Sequence, residues 1–514
     1  MEHRASGLLL HPSSLPGPSG SGDLGPAAHR FADFLAASGQ SWWQMLPVGP
    51  IGPANSPYQS PSSFAGNPLL VSLESLAEDG LIDVADVRLT NSGSSEDRID
   101  YAAVLGFKEA GLRRAFARFG RAPRALALAF EEFLADPPAW LGDYALFATL
   151  REARGDEPWW HWPARLRNRE PQALEDVRSG GLAEGIRYHS FVQFLFARQW
   201  SALADHCHAR GISLLGDVPI YVAHESAEVW AHRPLFDLLP DGTARAVAGV
   251  PPDYFSADGQ LWGNPLYRWD AHEAQGYAWW IERLATTLAR FDAVRLDHFV
   301  GFVNYWSVPR ESRTAKTGHW EPGPGAALFE RVRDALGGLP FLAEDLGEVT
   351  PAVHELRDRL GLPGMRVLQF SFGSGADGPE HFPEWSAAYT GTHDNDTLLG
   401  WLRDPPPRHE PAILAAWMLE RERVLARIAG DGPETNWKLI RMALASPSRL
   451  AVAPLQDVLG LGGTARLNTP GTTGHNWEWR STEAELRPEI AERLRSLTLE
   501  TARAPSATLR PALR

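Results

Sequence analysis

The chain has 514 residues, of which 44% are hydrophobic and 22% are charged, so it has ample apolar material for a buried core. Its net charge of -14 argues against a general binder of the nucleic-acid backbone, because that mode of binding needs basic patches. The single cysteine, Cys207, excludes an intramolecular disulfide framework. No apolar segment has the length of a membrane span, and the start of the chain lacks the apolar stretch of a signal peptide. We therefore expect a cytoplasmic protein with no nucleic-acid or membrane partner.

Two short apolar runs near the start of the chain, residues 7–11 and 42–47, are predicted to be the first two β-strands. Between them, residues 26–37 carry apolar side chains at helical spacing, with a proline in the first turn and Gly39 as the expected stop. The chain therefore begins with a strand-helix-strand unit.

A glycine-rich segment, residues 20–25, lies between the first strand and this helix and matches the dinucleotide-binding pattern G-x-G-x-x-G. Three prolines separate it from the strand, and no acidic residue stands about 20 residues further on, where a ribose ligand is needed. We expect no nucleotide site here.

The next part of the chain combines a polar loop with helices. Residues 56–68 are rich in hydroxyls, amides and aromatic rings, and loops at a barrel mouth commonly carry function. Residues 75–189 predict a helical insertion. Its amphipathic segments are residues 107–119, 125–135 and 144–154. A long helix at 191–210 then leads into a third strand, 212–222, which carries Asp217 near its end.

The segment 249–264 combines several glycines and prolines with Tyr254, Phe255 and Trp262. This composition predicts an irregular loop rather than a regular element, and long loops of this kind are usually functional or mobile. We assign it to a loop insertion that covers about residues 223–270.

Strand-like runs and helical segments alternate through the rest of the chain. Strands four to eight are predicted at residues 291–298, 340–347, 365–370, 388–392 and 450–456, and helices at residues 271–288, 328–336 and 351–360. Eight strands alternating with helices favour an α/β fold, a (β/α)8 TIM barrel with large helical and loop insertions. We expect one catalytic unit over residues 1–504, followed by a C-terminal tail at 505–514.

Acidic residues stand at the ends of three of these strands. Asp297 ends strand four, Glu344 ends strand five, and Asp394 follows strand seven together with His393. Period-two alternation places Arg295 on the same face as Asp297. The carboxyl ends of barrel strands meet at one mouth, where this fold carries its chemistry, and a pair of carboxyl groups there is able to cleave a glycosidic bond.

Three motifs, Arg295-Leu-Asp297-His298, Glu344-Asp-Leu-Gly347 and Thr392-His-Asp394-Asn-Asp-Thr397, resemble in order and spacing those of the amylomaltases, which are 4-alpha-glucanotransferases related to the alpha-amylase clan. Further matches lie at residues 56–60, 216–220, 249–255 and 263–269, so the resemblance runs from about residue 7 to about residue 480. It implies a retaining transfer of alpha-1,4-glucan segments on a (β/α)8 barrel, without a cofactor.

The resemblance also implies roles for the acids. Asp297 would be the nucleophile, Glu344 the general acid/base, and Asp394 with His393 would hold sugar hydroxyls. Arg295 would favour the ionised form of Asp297, because a nearby positive charge stabilises a carboxylate. We expect the neighbouring carboxylates to raise the pKa of Glu344, so that it is protonated before the attack.

Substrate contacts follow from the same resemblance. Tyr58 would stack under the sugar beside the scissile bond, with Tyr101 nearby, and the segment 249–264 would close over the bound glucan as a lid. The expected substrate-binding residues are Ser56, Tyr58, Tyr101, Asp217, Gln260, Trp262, Asn264, Arg295, His298, His393 and Asn468.

Other function classes stay open. An alpha-amylase-type retaining hydrolase would use the same acids with water as the acceptor, and a non-catalytic carbohydrate-binding barrel would keep the aromatic residues without needing all three acids. A phosphate-handling barrel enzyme would need a glycine-rich loop after the last strands, for which residues 460–463 are a faint candidate. No loop has the calcium-binding spacing D-x-[DN]-x-[DN]-G, so we expect no metal. The expected partners are alpha-1,4-glucans, and the expected state is a monomer or a weak homodimer.

Overall fold

The computed structural model describes residues 3–90, 93, 95–252, 258–347, 349–373, 375–406 and 411–505. Its strands are β1 (Ala5–Leu9), β2 (Trp42–Gln44), β3 (Ser213–Val218), β4 (Ala246–Val250), β5 (Gln260–Pro265), β6 (Ala293–Leu296), β7 (Asn304–Pro309), β8 (His319–Pro322), β9 (Phe341–Ala343), β10 (Gly364–Val367), β11 (Ser386–Tyr389) and β12 (Leu450–Pro454). Eight of them, all parallel, close into a barrel in the order β1-β12-β11-β10-β9-β6-β3-β2. These are the eight strands expected from the sequence, and the predicted (β/α)8 TIM barrel is confirmed.

Helices cover the barrel and fill the insertion before β3. They are α1 (Pro26–Ala37), α2 (Leu73–Glu78), α3 (Tyr101–Arg118), α4 (Arg124–Ala135), α5 (Leu141–Ala153), α6 (Ala164–Arg167), α7 (Pro171–Ser179), α8 (Ala183–His208), α9 (Ala227–Ala231), α10 (Trp269–Ala274), α11 (Ala278–Leu288), α12 (Gly325–Leu336), α13 (Pro351–Leu360), α14 (Leu398–Arg403), α15 (Pro411–Arg427), α16 (Thr435–Ala445), α17 (Leu455–Leu459) and α18 (Pro488–Glu500). The three predicted helices of the insertion are confirmed as α3, α4 and α5. The predicted tail from residue 506 onward lies outside the described residues.

One predicted helix, residues 271–288, is in fact two. Gly276 and Tyr277, between α10 and α11, both have left-handed backbones, with φ of 61° and 59°. A left-handed residue cannot continue an α-helix, so the chain changes direction there. The apolar spacing on either side is compatible with one helix, which is why the sequence pattern did not reveal the break.

The barrel interior is filled by side chains of its own strands. Its buried residues are Leu9, Leu215, Leu342, Met365, Val367, Ala387, Tyr389, Leu450 and Val452. A larger apolar cluster lies between the strands and the surrounding helices. Because the interior is packed, the space for a ligand lies at the strand ends.

A second sheet, antiparallel and in the order β5-β4-β7-β8, stands beside the barrel. The expectation that residues 249–264 form an irregular loop was wrong at both ends, because they enter β4 and β5. Gly249 makes this pairing possible, since a Cβ atom there would lie 2.4 Å from the carbonyl oxygen of Gln260. Residues 253–257 of this segment, with Tyr254 and Phe255, lie outside the described residues.

The glycine-rich segment 20–25 is a structural loop. Asp23 accepts a hydrogen bond from the backbone N–H of Gly25, the residue that precedes α1, and forms an ion pair of 2.6 Å with the buried Lys108 of α3. The Lys108 ammonium also donates to the carbonyl oxygen of Val71 at 2.8 Å. A carboxylate therefore occupies the helix N-terminus at which a dinucleotide phosphate would bind.

Candidate active site

The carboxyl ends of β3 and β6 bring an arginine between two aspartates. Arg295 of β6 donates through Nη1 to both carboxylate oxygens of Asp217, at 2.9 and 2.7 Å, and its Nη2 lies 3.0 Å from Oδ1 of Asp297. The prediction that Arg295 and Asp297 project together is confirmed. Asp217, the predicted binding residue on β3, belongs to the same group.

Burial divides these three residues into a hidden pair and an accessible acid. Arg295 and Asp217 are almost completely buried, whereas 26% of the Asp297 side chain is exposed. Burial acts against the charge of Arg295, but Asp217 and Asp297 outweigh it and hold its pKa well above the usual range. Burial raises the pKa of Asp217 to about 7, and the charge of Arg295 opposes this rise. Asp297 is thus the acid of the group that a ligand can reach beside a permanent cation.

Glu344 follows β9 directly, on the strand next to β6. Its Oε2 accepts a hydrogen bond of 2.7 Å from the backbone N–H of His298. Its pKa is raised to about 8, chiefly by burial, with Arg295 opposing the rise and Asp297 adding to it. The predicted direction of the pKa shift is confirmed, but burial rather than the neighbouring carboxylates is its main cause. Glu344 is therefore protonated at neutral pH, the state that a general acid needs.

His298 connects Glu344 to the second sheet. Its backbone is left-handed, with φ of 51° and ψ of 52°, and this conformation accompanies the hydrogen bond from its N–H to Glu344. Non-glycine residues rarely adopt this region, and such residues cluster at functional sites. The imidazole meets the indole of Trp262 edge-on, with ring centroids 4.9 Å apart, and burial lowers its pKa to about 4. His298 is thus neutral at pH 7.

Three aromatic rings form a cluster beside Asp217. The hydroxyl of the half-buried Tyr58 donates to Asp217 Oδ2 at 2.8 Å, and its ring stacks on the imidazole of His393 with centroids 5.2 Å apart. The indole of Trp477 lies 5.8 Å from Tyr58 and 5.9 Å from His393. Trp477 was not predicted as a site residue, because one tryptophan among twenty carries no signal until the fold places it.

Tyr101 adjoins this cluster through Trp477. It is 7% exposed, and its hydroxyl donates to the carbonyl oxygen of Trp477 at 2.8 Å. This contact makes Tyr101 a support for Trp477, and its expected role as a sugar contact stays a prediction. Tyr58 contacts Asp217 and His393 directly.

Asp394 follows β11, and 42% of its side chain is exposed. Asn468 donates to its Oδ1 at 2.6 Å, and Nε2 of His393 lies 3.3 Å from the same oxygen. Burial lowers the pKa of His393, so this imidazole is neutral. The two neighbours orient the carboxylate while leaving much of it open to a ligand. The predicted residues His393, Asp394 and Asn468 therefore lie together.

A glutamine that the sequence did not single out ties the Tyr58 loop to the second sheet. Gln59 donates through Nε2 to the Asn264 side-chain oxygen at 3.0 Å and to the carbonyl oxygen of Trp262 at 3.2 Å. Asn264 is buried and donates to the carbonyl oxygen of Val222 at 2.8 Å. The predicted binding residue Asn264 is thus part of the hydrogen-bond network that positions Trp262.

Two further predicted residues form hydrogen bonds that orient neighbouring aromatic residues. Oε1 of Gln260 accepts a hydrogen bond from the indole N–H of Trp262 at 3.2 Å. Ser56 Oγ accepts one from the backbone N–H of Tyr58, also at 3.2 Å, and so caps the short turn that carries this tyrosine.

The alternative phosphate loop has the wrong placement. Gly460, with φ of 70°, ends α17, so residues 460–463 lie at the carboxyl end of a helix, whereas phosphates bind at the amino end. Among the residues that the structure describes, no group of three or more His, Cys, Asp or Glu side chains is arranged to hold a metal ion.

One barrel strand thus carries an accessible acid beside a permanent cation, and the next strand carries a protonated acid. This arrangement on a (β/α)8 barrel defines a carboxylate-dependent enzyme of the glycoside-hydrolase type. The comparisons with known proteins are specific. A family model described as 4-alpha-glucanotransferase matches residues 10–485, and the chain belongs to this family. The enzyme class expected from the three strand-end motifs is confirmed.

Relatives cover nearly the whole chain. The 4-alpha-glucanotransferase of Thermus thermophilus is 48% identical over 506 residues, which are 97% of this chain and 99% of that protein. A chloroplastic/amyloplastic 4-alpha-glucanotransferase of Solanum tuberosum is 40% identical over 509 residues, 96% of this chain and 86% of that protein. An amylomaltase of Streptococcus agalactiae, solved in complex with acarbose, is 34% identical with a TM-score of 0.91, and the match covers 98% of this chain and 100% of that one.

Proposed function

We propose that this enzyme transfers alpha-1,4-glucan segments to the 4-hydroxyl of a glucan or glucose by a retaining double displacement, with Asp297 as the nucleophile and Glu344 as the general acid/base. The difference between these two acids carries the proposal. Asp297 is accessible and lies 3.0 Å from the guanidinium of Arg295, while burial raises the pKa of Glu344 to about 8. One acid is thus open to the sugar beside a fixed cation and the other retains a proton, which is the division of roles that glycosyl transfer needs.

The first half of the reaction breaks the donor glycosidic bond. A carboxylate oxygen of Asp297 attacks the anomeric carbon, and Glu344 gives its proton to the departing glycosidic oxygen. The leaving part of the glucan departs with a free 4-hydroxyl, and the donor segment stays on Asp297 as an ester. The guanidinium of Arg295 faces Asp297 and is held in place by Asp217.

The second half reverses these roles. Glu344, now ionised, takes the proton of the acceptor 4-hydroxyl while that oxygen attacks the anomeric carbon and the bond to Asp297 breaks. Two inversions at one carbon give net retention. The hydrogen bond from the His298 backbone favours the ionised form of Glu344 at this stage.

Asp394 and the aromatic cluster would hold the reacting sugar. We assign Asp394, oriented by Asn468 and His393, to sugar hydroxyls, where a carboxylate favours the oxocarbenium-like transition state. The half-buried ring of Tyr58 offers a flat apolar face for the sugar. Trp262, joined to the Tyr58 loop through Gln59, would help to exclude water from the glycosyl-enzyme.

Substrate, location and assembly complete the proposal. Alpha-1,4-glucans, such as maltooligosaccharides and the dextrins of starch or glycogen, are the substrate class that agrees with the family. Within the described ranges no helix is long and apolar enough to cross a membrane. The cytoplasmic location and the monomeric or weakly dimeric state stay predictions.

Two variants separate the roles of the acids. On maltotriose, both Asp297→Asn and Glu344→Gln should lose activity by about 10³-fold or more. With alpha-maltosyl fluoride, whose fluoride leaves without a proton, Glu344→Gln should still form the glycosyl-enzyme and Asp297→Asn should not. Fluoride release and the mass of the intact protein, which should gain one maltosyl unit in Glu344→Gln, give the readout.

Asp292→Asn is the matched control, because Asp292 immediately precedes β6 at the opposite end of the strand from Asp297. It contacts His208 and the backbone N–H of Leu214 instead of the cleft. This variant should keep nearly full activity. Near-normal turnover of maltotriose by folded Asp297→Asn or Glu344→Gln would refute the role given to that residue.

A further inference from the structure

Trp477 has a backbone that a bulky residue rarely adopts. Its φ is 66°, in the left-handed region that favours glycine. Its N–H donates to the carbonyl oxygen of Leu467 at 2.7 Å, and its own carbonyl oxygen accepts the hydroxyl of Tyr101 at 2.8 Å. Such strain persists only where the surrounding structure fixes it, and it clusters at functional sites.

The indole ring of Trp477 is buried against two residues of the site. The indole of Trp477 contacts the ring of Tyr58 and the imidazole of His393, with centroids 5.8 and 5.9 Å away, and these two stack on each other. The hydroxyl of Tyr58 donates a hydrogen bond to Asp217, and the imidazole of His393 lies 3.3 Å from the carboxylate of Asp394. Trp477 therefore completes a three-ring cluster whose other two members adjoin the acids.

The loop that carries Trp477 also carries Asn468. The hydrogen bond from the Trp477 N–H to the Leu467 carbonyl oxygen closes residues 467–477 into a loop. Inside this loop the Asn476 side chain accepts a hydrogen bond from the Thr469 N–H at 2.9 Å and donates one to the carbonyl oxygen of Thr472 at 3.0 Å. One closed loop thus supports Asp394 through Asn468 and the aromatic cluster through Trp477.

We infer that Trp477 is a positioning residue, whose left-handed backbone braces Tyr58 and His393 so that the reacting glucosyl unit meets Asp297 at a fixed angle. The inference rests on the proposed function, because it takes Tyr58 and His393 as sugar contacts. Trp477 itself need not touch the sugar. A displacement of about 1 Å at such a site costs about 10²-fold in rate.

Trp479 provides a matched control for the loss of a buried tryptophan. It lies two residues further along the same segment and is 2% exposed, but it does not take part in the cluster of Tyr58, His393 and Trp477. If Trp477 had only a structural role, Trp477→Leu and Trp479→Leu should lower the melting temperature and leave the kcat of the folded enzyme similar. If it positions the site, the two variants should differ in kcat.

The experiment measures kcat and KM on maltotriose, well below the melting temperature of each variant. Trp477→Leu should lose about 10- to 100-fold in kcat with KM changed less than about threefold, because the lost contacts act in the transition state. Trp477→Phe should recover most of the loss, since it restores a ring. Trp479→Leu should keep kcat within about twofold of the wild type.

A glycine variant covers the case in which leucine does not fold in the left-handed conformation. Trp477→Gly accepts that backbone and removes the ring, so it should fold and still lose kcat. A normal kcat in folded Trp477→Leu or folded Trp477→Gly, or an equal kcat loss in Trp479→Leu, would overturn the inference. If the wild-type enzyme itself makes no transfer products, the proposed function fails instead.

Discussion

The proton on Glu344 predicts an alkaline limb in the pH profile of kcat/KM. This quantity reports protonation in the free enzyme, where Glu344 must be protonated to act as the acid. A raised pKa keeps the acid form to higher pH, so activity is present below the pKa and is lost above it. With a pKa of about 8, the protonated fraction is roughly nine-tenths at pH 7 and one-tenth at pH 9. The predicted fall in kcat/KM between these two values is therefore about tenfold.

The assay compares two donors on the same enzyme. Initial rates of glucose release from maltotriose, between about pH 6 and about pH 10, should show the alkaline limb near pH 8. Fluoride release from alpha-maltosyl fluoride should lack this limb, because fluoride needs no proton from Glu344. Circular dichroism at each pH excludes unfolding. An alkaline limb near pH 6, or the same limb with both donors, would refute the assignment of the raised pKa to the general acid.

Two further predictions concern stability. Lys108→Met should destabilise the fold by about 3–5 kcal/mol in urea titrations, because it leaves the buried Asp23 unpaired, and adding Asp23→Asn should restore much of this loss. Burial raises the pKa of Asp457 to about 7, so its ionisation costs stability as the pH rises from about 4 towards 7. In Asp457→Asn the amide oxygen still accepts from the Leu398 N–H, and the Thr390 hydroxyl, which now donates to the other carboxylate oxygen, rotates to accept from the amide NH2. This variant should raise the unfolding free energy by about 1–4 kcal/mol at pH 8 and by little at pH 4. An equal effect of Asp457→Asn at both pH values would contradict the burial argument.

The barrel and its acids were predictable because their signals are local. Each of the eight strands is a short apolar run, and the alternation within residues 291–298 already placed Arg295 beside Asp297. Acids at strand ends must converge once the strands are parallel, so Glu344 and Asp394 needed no further information.

The contacts that position these acids were not predictable, because each one joins distant parts of the chain. Gln59 meets Trp262 across about 200 residues, and Tyr101 meets Trp477 across more than 370. Neither contact leaves a periodic pattern. The pairing of β4 with β5 was missed for a related reason, since Gly249 reads as a strand breaker until its close partner strand is known.

The raised pKa of Glu344 was predictable in its direction but not in its main cause. Its neighbours in the site were predictable from the motifs, so the direction of the shift was correct. Its burial depends on how the loops after β6 and β9 fold, including the left-handed turn at His298, and no local pattern reported that. The main cause of the shift therefore emerged only with the structure.

The partition of the glycosyl-enzyme between sugar and water tests the central claim most directly. Water is present at about 55 M, so transfer prevails only if the acceptor is bound and aligned, for which effective molarities reach about 10⁵ M or more. The measurement is a chromatographic separation of the products from maltotriose, with a parallel count of reducing ends. A transferase working through Asp297 and Glu344 should give glucose and a ladder of longer maltooligosaccharides, with the number of reducing ends nearly constant. A rise in reducing ends in step with substrate consumption, with no product longer than maltotriose, would contradict it and identify a hydrolase.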